Sequence, residues 1–269
     1  MLFKKKFNEN KIGNIRLGNG SIQFQRIRLN VYSFEVDGVL IDAGAHSLLQ
    51  QFKPFFSEAD VDQVIITHYH EDHTGCAKYL QDTYGYPVYM NEMTIPECQL
   101  KADYPLYRKL FWGARPAFGA QPIGKTFESR SATWDVIDTP GHAKDHLAFL
   151  NRETGQLFTG DLYVSPKTKV ILREESVPTI IDSLERVLTF DFEEAFCCHA
   201  GYIENGRQAL TNKLDYLLEL QHRVQGLRAE GLSENEIHEQ LFSKKYPITR
   251  VSFGEWDSKH IVASILKNG

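Results

Sequence analysis

Cysteine is scarce in this chain: four stand among 269 residues, at Cys76, Cys98, Cys197 and Cys198. Their spacing makes no disulfide framework, and the adjacent pair Cys197-Cys198 is badly placed to bond to itself. Free thiols in a reducing, cytoplasmic setting are the expectation. Long apolar runs are missing too, and no stretch approaches the ~18 consecutive apolar residues that a bilayer span requires. The basic run Lys4-Lys5-Lys6 has no apolar segment behind it, so it reads as a frayed tail or first-strand flank and not as a signal peptide. Positive charge is not in excess. A formal charge of -5 gives no general attraction to nucleic acid or to an anionic membrane. No Gly-x-Ser-x-Gly elbow is present, so nothing points to a serine nucleophile. No repeat of solenoid period is visible.

What remains is an ordinary globular composition, 42% hydrophobic and 24% charged, long enough for one large domain or one domain with a small appendage. Strand patterns fill the N-terminal third, at residues 22–29 and 31–36, with Asp37-Gly38 turning into residues 39–42. Residues 48–56 have helical spacing that Pro54 is expected to cut short. A buried strand at 64–67, a helix at 75–84 and a short strand at 87–90 follow. Residues 94–126 are rich in aromatics, proline and glycine. A helix over 105–112 and then an irregular loop are predicted, forming a lid or pocket wall, or else a loop packed down by its own aromatics. Strand signals return at 134–138, 147–150, 156–159 and 195–198, with a helix at 179–189. From Gly206 onward the pattern is helical, through Leu210, Leu214, Leu217, Leu218 and Val224, then a capping box at Ser233-Glu234-Asn235-Glu236, then residues 261–266.

The densest signal is His68-Tyr69-His70-Glu71-Asp72-His73, placed directly after the 64–67 strand. Ten histidines occur in the whole chain, and three of them fall in these six residues. Imidazole and carboxylate are ligands that zinc and similar metals prefer. Three later segments share one grammar, in which a strand ends and a metal-type residue follows: His142 after 134–138, Asp161 after 156–159, and His199 after 195–198. Loops at strand ends can converge on one point. His68, His70, Asp72, His73, His142, Asp161 and His199 are seven ligands, too many for one tetrahedral ion and suited to two ions sharing a carboxylate.

These motifs make the chain resemble the metallo-β-lactamase-fold hydrolases. The resemblance spans roughly residues 15 to 204 and rests on Leu40-Ile41-Asp42-Ala43-Gly44, the 68–73 run, Thr139-Pro140-Gly141-His142, Thr159-Gly160-Asp161 and His199-Ala200-Gly201. It implies an α/β fold, an αββα four-layer sandwich over residues 1–204 with a lid or pocket insertion at 94–126, followed by a helical extension over 205–269. It implies that His68, His70 and His142 hold a first metal, that Asp72, His73 and His199 hold a second, that Asp161 bridges them, and that Asp42 supports the ligands. Two zinc ions per chain are expected, with iron or manganese as substitutes, and a metal-activated hydroxide as nucleophile. Asp72 and Asp161 are placed to steer its proton, and Tyr163 is a candidate to line the pocket or protonate a leaving group. Asp161, where true β-lactamases of this fold carry Cys or Ser, favours thioesters, lactones or phosphodiesters. The helical tail is reminiscent of glyoxalase II, although only Lys167 and Lys169 lie near where its basic residues would be.

The expected function is therefore hydrolysis of a small ester, thioester or lactone. The alternatives are a mononuclear iron sulfur dioxygenase and an endoribonuclease of the same fold. A small-molecule substrate is the expected partner, with nucleic acid and membrane disfavoured and a homodimer left open. His146 reads as a buried histidine supporting the ligands. His46, His222, His238 and His260 read as surface residues, and Cys76 as helix packing.

Overall fold

In the computed structural model, which describes residues 3–267, the first half of the chain builds one sheet and the second half another. The first sheet runs in sequence order through β1 (Lys4–Ile12), β2 (Ile15–Phe24), β3 (Ile27–Val36), β4 (Val39–Ile41), β5 (Gln63–Ile65), β6 (Val88–Met90) and β7 (Gln121–Pro122). β1 to β4 are joined antiparallel. From β4 onward the pairing is parallel, and helices make the crossovers. The second half gives β8 (Thr126–Glu128), β9 (Thr133–Asp138), β10 (Leu147–Asn151) and β11 (Leu157–Gly160). The short β12 (Ile171–Leu172), then β13 (Ala195–Cys197) and β14 (Gly201–Ile203), follow. The second sheet has the order β14-β13-β11-β10-β9-β8.

The helices are α1 (Leu49–Ser57), α2 (Glu71–Thr74), α3 (Ala77–Tyr84), α4 (Ile95–Cys98), α5 (Leu106–Trp112), α6 (Val177–Leu188), α7 (Gly206–Ala229), α8 (Glu234–Leu241), α9 (Pro247–Val251) and α10 (Lys259–Lys267). Three buried clusters define four layers. Phe34, Ile41, Ile65, Trp134, Phe149, Phe158 and Phe196 fill the space between the two sheets. Phe52, Phe55, Phe56, Leu80 and Phe111 seal helices onto the outer face of the first sheet. Ile180, Leu184, Leu210, Leu217 and Ile261 do the same for the second. The fold is thus an αββα sandwich. α7 and α10 belong to the same cluster as β10, β11 and β13, so the helical tail is packed into the fourth layer. A small ribbon of β12 with β15 (Trp256–Asp257) ties it down again. Among the described residues no helix is long and apolar enough to cross a membrane.

Several local expectations change. The strand expected at 22–29 is two strands, because Gln25-Arg26 turns the chain and Gln25 adopts φ 51°. No glycine or asparagine marks that turn. The lysines at 4–6 lie within β1, an exposed edge whose positive charges discourage further strand pairing. α1 continues through Pro54 to Ser57, held by the buried faces of Phe52, Phe55 and Phe56. In residues 94–126 the helix expected at 105–112 is α5, and the rest is less irregular than expected, carrying α4 and β7. Arg115, buried, fastens them by donating to the carbonyls of Cys98 (2.8 Å) and Glu97 (3.0 Å). His260 is buried, its Nε2 2.8 Å from the carbonyl oxygen of Gly254, and His238 is half-buried against Ser258. His46 is half-buried between the loop after β4 and α5. His260 is therefore an interior packing residue and not a surface one, His46 and His238 lie between interior and surface, and His222 is exposed.

Candidate metal centre

Every candidate ligand leaves the carboxyl end of a strand. The 68–73 run follows β5 and coils into α2, His142 follows β9, Asp161 follows β11, and His199 sits in the tight turn from β13 to β14. α2 is a single turn whose first hydrogen bonds run from His73 and Thr74 N–H to the carbonyl of His70. That turn swings His70, Asp72 and His73 to one side. Gly160, at φ 50°, lets the chain pass so close to His146 and Thr67 that a Cβ there would lie 2.6 Å from the His146 Nε2.

Two groups of side chains result. His68 Nε2 and His142 Nε2 stand 3.0 and 3.1 Å from His70 Nδ1. His199 Nε2 lies 3.5 Å from Asp72 Oδ2, and His73 Nε2 lies 3.8 Å from it. A single oxygen, Asp161 Oδ2, joins the groups at 3.3 Å from His142 Nε2, 3.5 Å from His73 Nε2 and 2.9 Å from His199 Nε2. All seven side chains expected as ligands are brought together, and they fall into clusters whose ligand atoms lie within 4.8 Å of one another.

The donor chemistry fits metal ions. Atoms bound tetrahedrally at about 2.1 Å from one zinc ion are roughly 3.3 Å apart, which is the spacing found here. The tautomers agree. His73 Nδ1 is 2.7 Å from Asp42 Oδ2, His142 Nδ1 is 3.0 Å from Glu175 Oε2, and His199 Nδ1 is 2.5 Å from the carbonyl oxygen of Asn30. Carboxylates and carbonyls only accept, so each Nδ1 carries hydrogen and each Nε2 presents a lone pair. His68 Nδ1 meets the Thr67 hydroxyl at 3.0 Å, which leaves its Nε2 free in the same way. His70 turns its Nδ1 into the same group, and buried nitrogens facing one another in this way are an arrangement that a cation would satisfy. His73 Nε2 and Asp161 Oδ1 are buried and hydrogen-bonded to nothing among the described residues.

The electrostatics repeat the point. Burial and the neighbouring imidazoles push the pKa of His68 well down. For His73, burial opposes the charged form, but the carboxylates of Asp161, Asp42 and Asp72 outweigh it and raise the pKa well above the usual value. His199 rises to about 9, as Asp161 and then Asp72 overcome burial. Burial would raise Asp161, but His199 and His73 hold it well below the carboxylate range. The carboxylates call for positive charge at this point, which bound cations would supply.

Supporting residues complete the centre. Asp42, fully buried at φ 59°, accepts from Thr67 N–H (2.8 Å), the Thr67 hydroxyl (2.8 Å), His73 and the Cys198 thiol (3.0 Å). His146 is held by the Thr139 hydroxyl at 2.8 Å and accepts the Asp161 backbone N–H at 2.8 Å, so it fixes the bridging residue. Glu175, Asn30 and Arg108 carry no readable signal in the sequence. Arg108 reaches from α5 to make a bidentate pair with the buried Glu71, at 2.7 and 2.7 Å, between two of the ligands. Tyr163 departs from expectation. It is not among the residues that line the cavity; its ring packs in the apolar cluster under α6 and α7, with the Lys213 ammonium 5.8 Å from its centre.

That cavity holds about 450 Å³ and opens over Asp72, His142, Asp161 and His199. Leu29, Phe111, Trp112, Leu162, Ile248 and Trp256 give it apolar walls, and Lys169 lines it while Lys167 does not.

Comparison with known proteins agrees. The sequence profile of the metallo-beta-lactamase superfamily matches residues 30–199. The lactamase-like protein aptB of Emericella nidulans is 28% identical over 198 residues, covering 71% of this chain and 55% of that protein. An atrochrysone carboxyl ACP thioesterase of Aspergillus fumigatus is 28% identical over 188 residues, covering 68% of this chain and 38% of that protein. The chain thus spans about half, or less, of the curated relatives it matches. Among solved structures, a metallo-beta-lactamase family protein of Thermus thermophilus shares the fold with a TM-score of 0.67 at 19% identity, covering 96% of this chain and 94% of that one. A beta-lactamase domain protein of Burkholderia ambifaria gives 0.68 at 16% identity, covering 97% and 88%. With the profile match running from Asn30 to His199, and so taking in every ligand strand end, the chain belongs to the metallo-beta-lactamase superfamily.

Proposed function

We propose that this protein is a dinuclear, zinc-type metallohydrolase that cleaves thioesters. The observation that carries the reading is Asp161 Oδ2, which lies within 3.5 Å of imidazoles from both ligand groups. A carboxylate so placed could serve two ions, which His68, His70 and His142 would hold on one side and Asp72, His73 and His199 on the other. Bound there, the ions supply an acidified water and a Lewis acid for the acyl oxygen. The chain supplies the rest. Apolar walls exclude bulk water and take the acyl group. Asp72, on the cavity wall, is placed to accept the proton of the attacking water. Water oxygen bonds to the acyl carbon, the carbon–sulfur bond breaks, and the thiolate leaves and is protonated. Two further lines of support are the thioesterase names among the relatives and the presence of Asp161 at the bridging position.

The test is metal quantification together with a panel of thioester, lactone and phosphodiester substrates. Two ions per chain and thioester turnover that His70→Ala abolishes are expected. One iron per chain with an oxygen requirement, or full activity in His70→Ala, refutes the reading.

A further inference from the structure

The cavity contains a cation that the metal centre does not use. Lys213 lies within α7, is 5% exposed and still lines the cavity. Its ammonium donates to the carbonyl oxygens of Tyr163 and Ser165, in the loop that leaves Asp161. Between them is Val164, a β-branched residue at φ 52°, so the lysine clamps a strained turn. A clamp alone needs two donors, and an ammonium has three. Among the described residues Lys213 makes no ion pair; beyond the two carbonyls its Nζ lies 5.8 Å from the centre of the Tyr163 ring, and the carboxylates of Glu175 and Asp161 act on it only from beyond contact distance. A buried charge without a counter-charge in contact is costly. The remaining donor is left to the cavity, whose lining has apolar Leu162, Ile171, Leu172 and Ile180 as well as the cations Arg28, Arg108 and Lys169. An incoming oxygen is the partner that would complete it.

We infer that Lys213 is a substrate-binding residue that selects acyl groups bearing a second accepting oxygen, a 3-oxo group or a terminal carboxylate, over plain alkanoyl groups of the same length. Only the identification of the ligand as an acyl group rests on the thioesterase reading. Burial lowers the lysine pKa to about 8, which keeps it a cation at neutral pH and makes an anionic or strongly accepting oxygen welcome.

The test compares butyryl, acetoacetyl and succinyl thioesters of N-acetylcysteamine on the metal-loaded protein. The two oxygenated substrates distinguish the oxo group from the carboxylate. A hydrogen bond to a charged group predicts that at least one of them exceeds butyryl in kcat/KM by roughly 10- to 100-fold, and that Lys213→Met brings the ratio to within about 3-fold of unity. A wild-type ratio near unity, or a Lys213→Met variant that slows all three in proportion, overturns the inference and leaves the lysine a clamp. Should Lys213→Met fail to fold, Lys213→Gln keeps two donors for the loop without the charge. Its ratio of the favoured oxygenated thioester to butyryl is expected to fall about tenfold, and an unchanged ratio is refuting. If wild-type protein turns over none of the thioesters, the thioesterase reading has failed separately. Calorimetry with the matching amide analogues then decides, and equal binding of the succinyl amide to wild type and Lys213→Met overturns the role of Lys213.

Discussion

Replacing Asp42 with asparagine tests how the ligands are held, because the change is nearly isosteric and its outcome is dictated by hydrogen bonding. Asp42 Oδ1 accepts the Thr67 backbone N–H at 2.8 Å, while Oδ2 faces the Thr67 hydroxyl, the Cys198 thiol and His73 Nδ1 at 2.7 Å. A carboxamide has one accepting and one donating end. Turning its NH2 toward the Thr67 backbone N–H sets two fixed N–H donors against each other in a fully buried site, whereas the Thr67 hydroxyl and Cys198 thiol hydrogens can rotate and the His73 ring can change tautomer, so the amide is expected to turn its NH2 toward His73. Nδ1 of His73 then accepts, the ring proton moves to Nε2, and that nitrogen no longer offers a lone pair to a metal. Outer partners of ligating histidines typically govern about 10- to 100-fold in metal affinity, or roughly 1.4–2.7 kcal/mol. The expected result for Asp42→Asn is a selective loss at the position formed by Asp72, His73 and His199, with the His68, His70 and His142 position less affected. Zinc titration of the chelated protein by calorimetry reads both stoichiometry and affinity. Two ions bound with unchanged affinities would refute the tautomer argument and, with it, the assigned role of Asp42.

Asp161→Ala is expected to lower metal content at both positions, since one carboxylate oxygen faces both groups; a variant retaining two ions per chain by elemental analysis sinks the bridge. Trp112→Ala should cost about 3–5 kcal/mol of stability, because the ring is 7% exposed, and should shift the relative kcat/KM of long and short acyl thioesters while metal content holds. An unchanged substrate profile would remove Trp112 from the pocket wall. For pH, burial depresses Lys213 from 10.5 to about 8, so it is a cation below that pH and a neutral amine above it. Preference for oxygenated acyl groups should be full below about pH 8 and fade above it, whereas the folding penalty of the buried charge is full below 8 and relieved toward 10.5. A ratio of kcat/KM values independent of pH from 7 to 10 contradicts this.

The candidate metal centre is legible in the sequence because each candidate ligand lies in the segment after a strand and the strand pattern is local. His68, His142, Asp161 and His199 need only the rule that strand ends converge. The residues that orient them are not legible. Glu175 precedes α6, with no motif around it, and meets His142 only through the fold. Asn30 acts through its carbonyl oxygen, which any residue possesses. Lys213 occupies a helix position that looks solvent-facing until the loop from Asp161 is laid over it. The Gln25-Arg26 turn escapes notice because neither residue is a turn former, and His260 because a histidine near the chain end resembles surface until Gly254 is seen to accept from it. Tyr163 is suggested by its proximity in sequence to Asp161, but the turn at Val164 carries its ring into the core.

The same contacts decide what the helical tail contributes. Arg108 of α5 pairs with Glu71 inside the ligand motif and lies 3.5 Å from Glu255 of the tail. Lys213 of α7 holds the loop that begins at Asp161. β15 pairs with β12, three residues before Glu175 and its bond to His142. Each connection runs from the tail, or from the 94–126 segment, to a residue beside a ligand. Bidentate and buried ion pairs resist displacement because breaking one leaves an uncompensated charge in the interior. The cavity wall and the ligand loops therefore cannot move independently. On the proposed reading, a substrate that displaces the wall would act on Glu71 and on the Asp161 loop, coupling acyl-group fit to the geometry of the ligand loops.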